Sequence, residues 1–302
     1  MHAPPPVYRR PLGFLHDRRV RDEIARLDAE RDCQRIVNLL AGCEFPFDIT
    51  RALEVALLHT FGSQSVARLL DRTGEFRTRG QKRYDDTSLL IAHFLEQGWE
   101  GPLGRRAIAR MNEIHAHYRI PNDDYLFVLW TFIDFPYEWM NEFGWRALSA
   151  HEQAAWYAFW VEIGRRMGIA DIPASKADYD RFIAAYEARE MVPNSASQHV
   201  AEATLATMAG WFPAPLRPLV EPVVRCLVRP QFARAAGFAP PQPWLRRSVR
   251  GALKLRAAAK AFVSIERYAK PIAELEWRTY PGGRYELDAL GPFTRRAARQ
   301  AR

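Results

Sequence analysis

The chain has 302 residues, 48% of them hydrophobic and 12% aromatic, enough to bury a sizeable core in one large domain or two small ones. A net charge of +8 and a pI of about 9.6 allow an acidic partner or an anionic membrane surface without selecting one, and no nucleic-acid partner is expected. Three cysteines without a CxxC pair point to a reducing, cytoplasmic compartment, and the lack of an apolar h-region or a long apolar run argues against a signal peptide or a transmembrane helix.

Residues 1–15 are Pro-rich and read as a flexible arm. Helices are expected from Asp17 to Ala29 and from Asp32 to Ala41, followed by a break over Glu44–Asp48. Asp48 or Thr50 is then read as the cap of a helix that runs through Leu53, Leu57 and Leu58 to Phe61. Gly62-Ser63 restarts the chain, and Val66, Leu69 and Leu70 carry a short helix that stops at Thr73-Gly74.

The segment 79–98 places Tyr84, Thr87, Leu90, Ile91 and Phe94 on one face, with Arg83 one turn before Thr87. An unpaired buried charge is costly, so an arginine on an apolar stripe is expected to have an anionic partner. From Leu103 the spacing predicts a long helix, a break at Ile120-Pro121 and a second helix. On the first, Leu103, Ala107, Met111, Ile114 and Tyr118 form the apolar stripe. His115 lies on that side and His117 on the polar flank. Asn122 is read as the cap of the second helix, with Asp123 and Asp124 at the positive end of its dipole.

Ser149 with Glu152 three residues on has capping-box spacing. Trp156, Trp160, Ile163 and Met167 follow as a core stripe. Helices are read from Ser175 to Glu190 and from Ser195 to Trp211. Residues 213–243 are Pro-rich, so helices there are short or kinked. Trp244 to Val263 is a basic amphipathic helix, read first as a solvated face and second as a membrane contact. A turn-rich tail and a basic end over residues 294–302 close the chain. With no alternating runs, no repeat and no linker, residues 16–293 read as one all-α domain of about a dozen helices.

Nucleotide-binding glycine loops, GxSxG, HExxH and the Glu-x-x-His pairs of di-iron bundles are all absent. The candidates left are Arg83 and Thr87 on one inward face and His115 on another. Taken alone, an inward histidine is more often a hydrogen-bonded core residue than a metal or haem ligand.

The order of three motifs changes that balance. KRYDDT at residues 82–87, RMNEIHAHYRIPNDD at 110–124 and the closing YPGGRYELDALGP resemble the mpaB-type oxygenases. That family shares its catalytic domain with the rubber oxygenases called latex clearing proteins. The resemblance is strongest over residues 45–170. It implies an all-α fold holding haem b, with iron bound through one proximal histidine, matched by His115. It implies a distal arginine and threonine four residues apart, matched by Arg83 and Thr87. Where rubber oxygenases carry a lysine that can cap the iron, this chain has Asp86, as the mpaB-like branch does.

On that resemblance His115 binds iron through Nε2, and its Nδ1–H meets a carbonyl or carboxylate. Arg83 hydrogen-bonds bound dioxygen or a haem propionate, and Thr87 donates to the oxygen. Asp86 relays a proton or merely pairs with a neighbour. Arg110 and Asn112 belong to the matched motif, as cofactor-binding residues or as a structural salt bridge and a helix hydrogen bond. The function implied is haem-dependent oxygenation or oxidative C=C cleavage of an apolar, unsaturated, isoprenoid or lipid-like substrate by dioxygen. The alternative is a non-enzymatic haem or lipid carrier, or a protein docking on membranes through residues 244–263.

Overall fold

The computed structural model describes residues 18–262 and 276–292, and these contain helices and turns but no strand. The Pro-rich arm, Val263 and the basic end lie outside the described residues. Thirteen α-helices occur among the described residues, in line with the all-α reading.

The first half runs α1 (Arg19–Arg26), α2 (Cys33–Leu39), a π-helical turn (Leu40–Glu44), α3 (Pro46–Thr60), α4 (Gln64–Thr73), α5 (Glu75–Gln97) and α6 (Pro102–His115). Then come α7 (Asn122–Phe143), α8 (Ala150–Arg166), α9 (Lys176–Glu190) and α10 (Ser195–Ala209). The Pro-rich stretch holds the short helices α11 (Arg217–Arg225) and α12 (Pro230–Ala235), before α13 (Pro243–Phe262). Two single 3₁₀ turns, Pro281–Gly283 and Leu287–Ala289, shape the last described segment.

Several helix ends differ from the expectation, each for a local reason. The first helix stops at Arg26, because the Asp28 carboxylate takes the backbone N–H groups of Glu30 (3.0 Å) and Arg31 (2.9 Å) in a turn. Asp48 does not cap α3; the helix starts at Pro46, whose fixed φ suits the first turn. Asp48 is instead fully buried and accepts from Trp139 Nε1 (3.1 Å) and Arg256 Nη1 (2.8 Å), with Lys260 Nζ 3.7 Å away. α5 begins at Glu75 and passes through a kink at Arg79 (φ −139°, ψ 37°). Asn122 does not cap α7 either; Pro121 holds the cap position, and the Asn122 amide pairs both ways with the Ala170 backbone at 2.9 and 3.0 Å.

The Ser149 capping box forms as read: Ser149 Oγ accepts from Glu152 N (3.2 Å) and Glu152 accepts from Ser149 N (2.8 Å). Such a cap stabilises a helix by ~1 kcal/mol. It aims α8 so that Trp156, Trp160 and Ile163 are buried against α7. The hairpin of α5 and α6 turns at Gly98 (φ +57°), which no side chain favours. Helix α6 returns so closely that a Cβ on Gly104 would sit 1.7 Å from the Gly98 carbonyl. Helix α7 lies deepest, packed against α3 on one side and α8 on another. The cavity described next is enclosed by α3 to α8.

Candidate functional site

Arg83, Thr87, Ile91 and Phe94 recur every three or four residues on α5, so all four side chains leave the helix on one side and line one cavity. Met111 and His115 reach the same cavity from α6, one turn apart. Helix α7 adds Tyr125, Val128 and Phe132, and α8 adds Trp160 and Ile163. The cavity has a volume of about 180 Å³ and a mostly apolar wall. Its hydroxyl groups at Thr60 and Thr131 are spent on their own helices, donating to Leu57 O (2.7 Å) and Val128 O (2.8 Å).

His115 stands at the end of α6 beside the Tyr125 ring, with centroids 5.4 Å apart. Burial, and after it the nearby Arg83 charge, pushes its pKa down to about 4, so the ring is neutral at physiological pH. The expected carbonyl or carboxylate partner for Nδ1 is missing: this nitrogen is buried without a hydrogen bond among the described residues. The neutral form is the one in which an imidazole ligates a metal, while the Nδ1 partner that usually orients such a ligand is not supplied by the described residues.

Arg83 also departs from expectation. No carboxylate lies within ion-pair distance of it among the described residues. Its guanidinium sits 5.6 Å from the Phe76 ring centroid and donates to Thr87 Oγ1, and burial lowers its pKa. Thr87 in turn donates its own hydroxyl hydrogen to the Arg83 carbonyl (2.9 Å). The two groups therefore do not converge as independent donors: Thr87 holds the arginine, and the arginine faces the cavity.

Asp86, Arg110 and Asn112 are not brought to the cavity. Asp86 is buried and fully used, accepting from Lys82 Nζ (2.5 Å), Tyr280 OH (2.5 Å) and Gly291 N (2.7 Å). Arg110 donates to Leu290 O (2.9 Å) and pairs with Glu113 (3.0 Å). Asn112 donates to Arg166 O (3.0 Å) at the end of α8. The KRYDDT motif thus has two faces: Arg83 and Thr87 look into the cavity, while Lys82, Asp85 and Asp86 grip the segment 279–291. Of the two readings for Arg110 and Asn112, the geometry matches the structural one.

One polar wall residue is absent from the sequence-based site. Asp124 lines the cavity from α7, 5% exposed, and accepts from Ser65 Oγ (2.5 Å) and Tyr186 OH (2.6 Å). In sequence it reads as an acid at a helix start. Its face, shared with Val128 and Thr131, carried a second signal: a charge on an apolar stripe, as with Arg83.

The donor set bears on the haem expectation. The apolar wall, a neutral imidazole and an arginine outside ion-pair distance of any carboxylate among the described residues are donor types an iron porphyrin would use, the imidazole for the metal and the guanidinium for an anionic oxygen or a propionate, although the cavity of about 180 Å³ would have to widen to take it. No group of three or more His, Cys, Asp or Glu that could hold a metal on its own occurs among the described residues. No helix among the described residues is long and apolar enough to cross a membrane.

Comparison with known proteins places the chain in a family. Residues 50–263 match the family described as ER-bound oxygenase mpaB/B'/Rubber oxygenase, catalytic domain. The chain is 30% identical over 220 residues to ER-bound oxygenase mpaB of Penicillium roqueforti (strain FM164), covering 66% of this chain and 72% of that protein. It is 28% identical to ER-bound oxygenase mpaB' of Penicillium brevicompactum over 68% of this chain and 52% of the relative. To ER-bound oxygenase mpaB of the same species it is 31% identical over 58% of this chain, and it spans half of that relative's length. With the match running through the helices that wall the cavity, this chain belongs to the mpaB/rubber oxygenase catalytic-domain family.

Proposed function

We propose that the chain is a haem-dependent oxygenase that acts on an apolar, unsaturated, isoprenoid or lipid-like substrate by oxygenation or oxidative C=C cleavage. The observation that carries this reading is the pairing of His115 and Arg83, a neutral imidazole and a buried cation outside ion-pair distance of any carboxylate among the described residues, in one cavity with mostly apolar walls. When bound, the haem supplies iron for dioxygen chemistry.

The protein's own contribution follows from the wall. His115 would hold the iron, already neutral, so that no proton need be removed first. Arg83 would place positive charge where an anionic oxygen or a propionate lies, in a low-dielectric site where that charge acts strongly. Thr87 would fix the guanidinium through their hydrogen bond. Phe132, Trp160 and Ile163 would exclude water and accommodate an olefin.

The test is an absorption spectrum of protein expressed with haem precursor. A Soret band is expected, lost or shifted in His115→Ala. A colourless protein that also refuses added haemin would overturn the reading.

A peripheral membrane contact is a second proposal, supported by α13. Trp244 and Leu255 are 63% and 72% exposed, beside exposed Arg246, Arg247 and Lys254. Such a surface suits an anionic interface, from which an apolar substrate could be drawn.

A further inference from the structure

We propose that Asp124 is the proton relay of the cavity, passing one proton at a time between an outer cleft at Ser65 and a basic atom held inside. The proposal rests on the oxygenase reading, in the form in which oxygen held in the cavity takes up protons from outside.

Asp124 is the only carboxylate in the cavity wall among the described residues. Its Oδ2 accepts from Ser65 Oγ at 2.5 Å and its Oδ1 from Tyr186 OH at 2.6 Å, which in turn lies 2.7 Å from Ser63 Oγ. Ser65 is half-exposed and lines a separate surface cleft between α4 and the start of α10, with Gln64, Arg68 and Ser195. One carboxyl group therefore separates the outer cleft from the interior cavity, and a single hydroxyl joins it to water.

Burial raises the Asp124 pKa more than the Ser65 and Tyr186 hydrogen bonds lower it, and Glu190 and Asp123 raise it further. From α4, Arg68, Arg72 and Asp71 face the outer cleft, and Glu190 faces it from α9.

The transfer balances simply. The protonated carboxyl gives its proton to a basic atom in the cavity and becomes a carboxylate. Ser65 Oγ then passes its hydrogen to Oδ2 and takes one from a hydronium ion or buffer acid in the cleft, which is left as water or as the buffer base. One proton enters, one leaves, and no electron moves.

Two measurements test this. Carbon NMR of protein labelled at the aspartate carboxyl, without cofactor, gives the Asp124 titration, assigned by the signal missing in Asp124→Asn. The midpoint is expected above the ordinary aspartate value of about 3.9. It should rise again in Ser65→Ala, which loses a hydrogen bond to the charged form. In haem-loaded protein, Asp124→Asn should keep its haem and lose about 100-fold in oxygen-dependent turnover, the scale of positioned acid–base groups. Ser65→Ala should lose less and show a larger solvent deuterium effect. Full turnover in Asp124→Asn, or an Asp124 that titrates at the ordinary value and ignores Ser65, would overturn the relay. If wild-type protein takes up no haem, the oxygenase reading fails instead, and the carboxyl titration still decides whether Asp124 communicates with Ser65.

Discussion

The neutral state of His115 is open to direct measurement. Burial is the larger cause of its pKa of about 4, and the Arg83 charge the smaller. At pH 5.5 an imidazole with the ordinary pKa of 6.5 is about 9% neutral, whereas one at about 4 is about 97% neutral. A metal ligand of the ordinary kind would thus lose about tenfold in affinity between pH 7.5 and 5.5, while His115 should lose almost nothing. The perturbation is Arg83→Met, which keeps a long side chain and removes the charge. Proton NMR of the imidazole, assigned by the resonance missing in His115→Ala, should place the wild-type midpoint near 4 and the Arg83→Met midpoint higher, though still below 6.5. Haemin titrations at pH 7.5 and 5.5 should then be nearly flat in wild type and sloped in the variant. A wild-type midpoint within half a unit of about 6.5 would refute the burial argument, and an unchanged midpoint in Arg83→Met would refute the part assigned to Arg83. The sign for folding follows. The unfolded chain protonates this histidine below about 6.5, whereas the native state stays neutral, so stability is full above that pH and erodes as pH falls toward 4. His93, buried and also pushed down to about 4, adds to the same window.

Other perturbations give separate readouts. Thr87→Val should leave haem content nearly unchanged and reduce olefin turnover, because Arg83 loses the hydroxyl that holds it; full haem with full turnover would make Thr87 a core residue only. Asp48→Ala should cost ~1–3 kcal/mol, since it removes the buried carboxylate shared by Trp139, Arg256 and Lys260, and calorimetry should show Tm lower by about 2–5 °C for a chain of this size. Wild-type protein should co-sediment with anionic vesicles and release at high salt, with Arg246→Glu/Arg247→Glu weakening the effect; equal partition to neutral vesicles would reject charge-driven docking.

The cavity residues that could be read in sequence are those placed by local periodicity. Arg83, Thr87 and His115 sit where the turn of α5 and α6 puts them, and that turn is written in the spacing of their apolar neighbours. The capping box at Ser149 is equally local. What escaped were partners distant in the chain. The Ser65–Asp124–Tyr186 chain joins α7 to residues 59 and 62 positions away, and nothing in a helical stripe encodes that meeting. Asp86 was read as a relay or as pairing with a neighbour, but its partners Tyr280 and Gly291 escaped for the same reason, lying 194 and 205 residues on. The basic helix near the C-terminal end was half legible. Its periodicity is right, but Arg250, Arg256 and Lys260 turn inward to Glu142 and Asp48, leaving Arg246, Arg247 and Lys254 outside.

The grip of α5 and α6 on residues 279–291 bears on how the protein can be cut and recombined. The family match ends at residue 263, which invites a shortened version stopping there. Such a version would uncover Asp85, Asp86 and Arg110, three charged groups that the closing segment satisfies through Thr279 N, Tyr280 OH, Gly291 N and Leu290 O. Gly291 adds a steric condition: its φ of +93° and its approach to Ile114 leave no room for a side chain. A chimera that borrows its C-terminal portion from a rubber oxygenase, with lysine at the position of Asp86, would bring a segment matched to a different helix. The workable unit of exchange is therefore α5, α6 and residues 276–292 together, although more than 150 residues of chain lie between α6 and that segment.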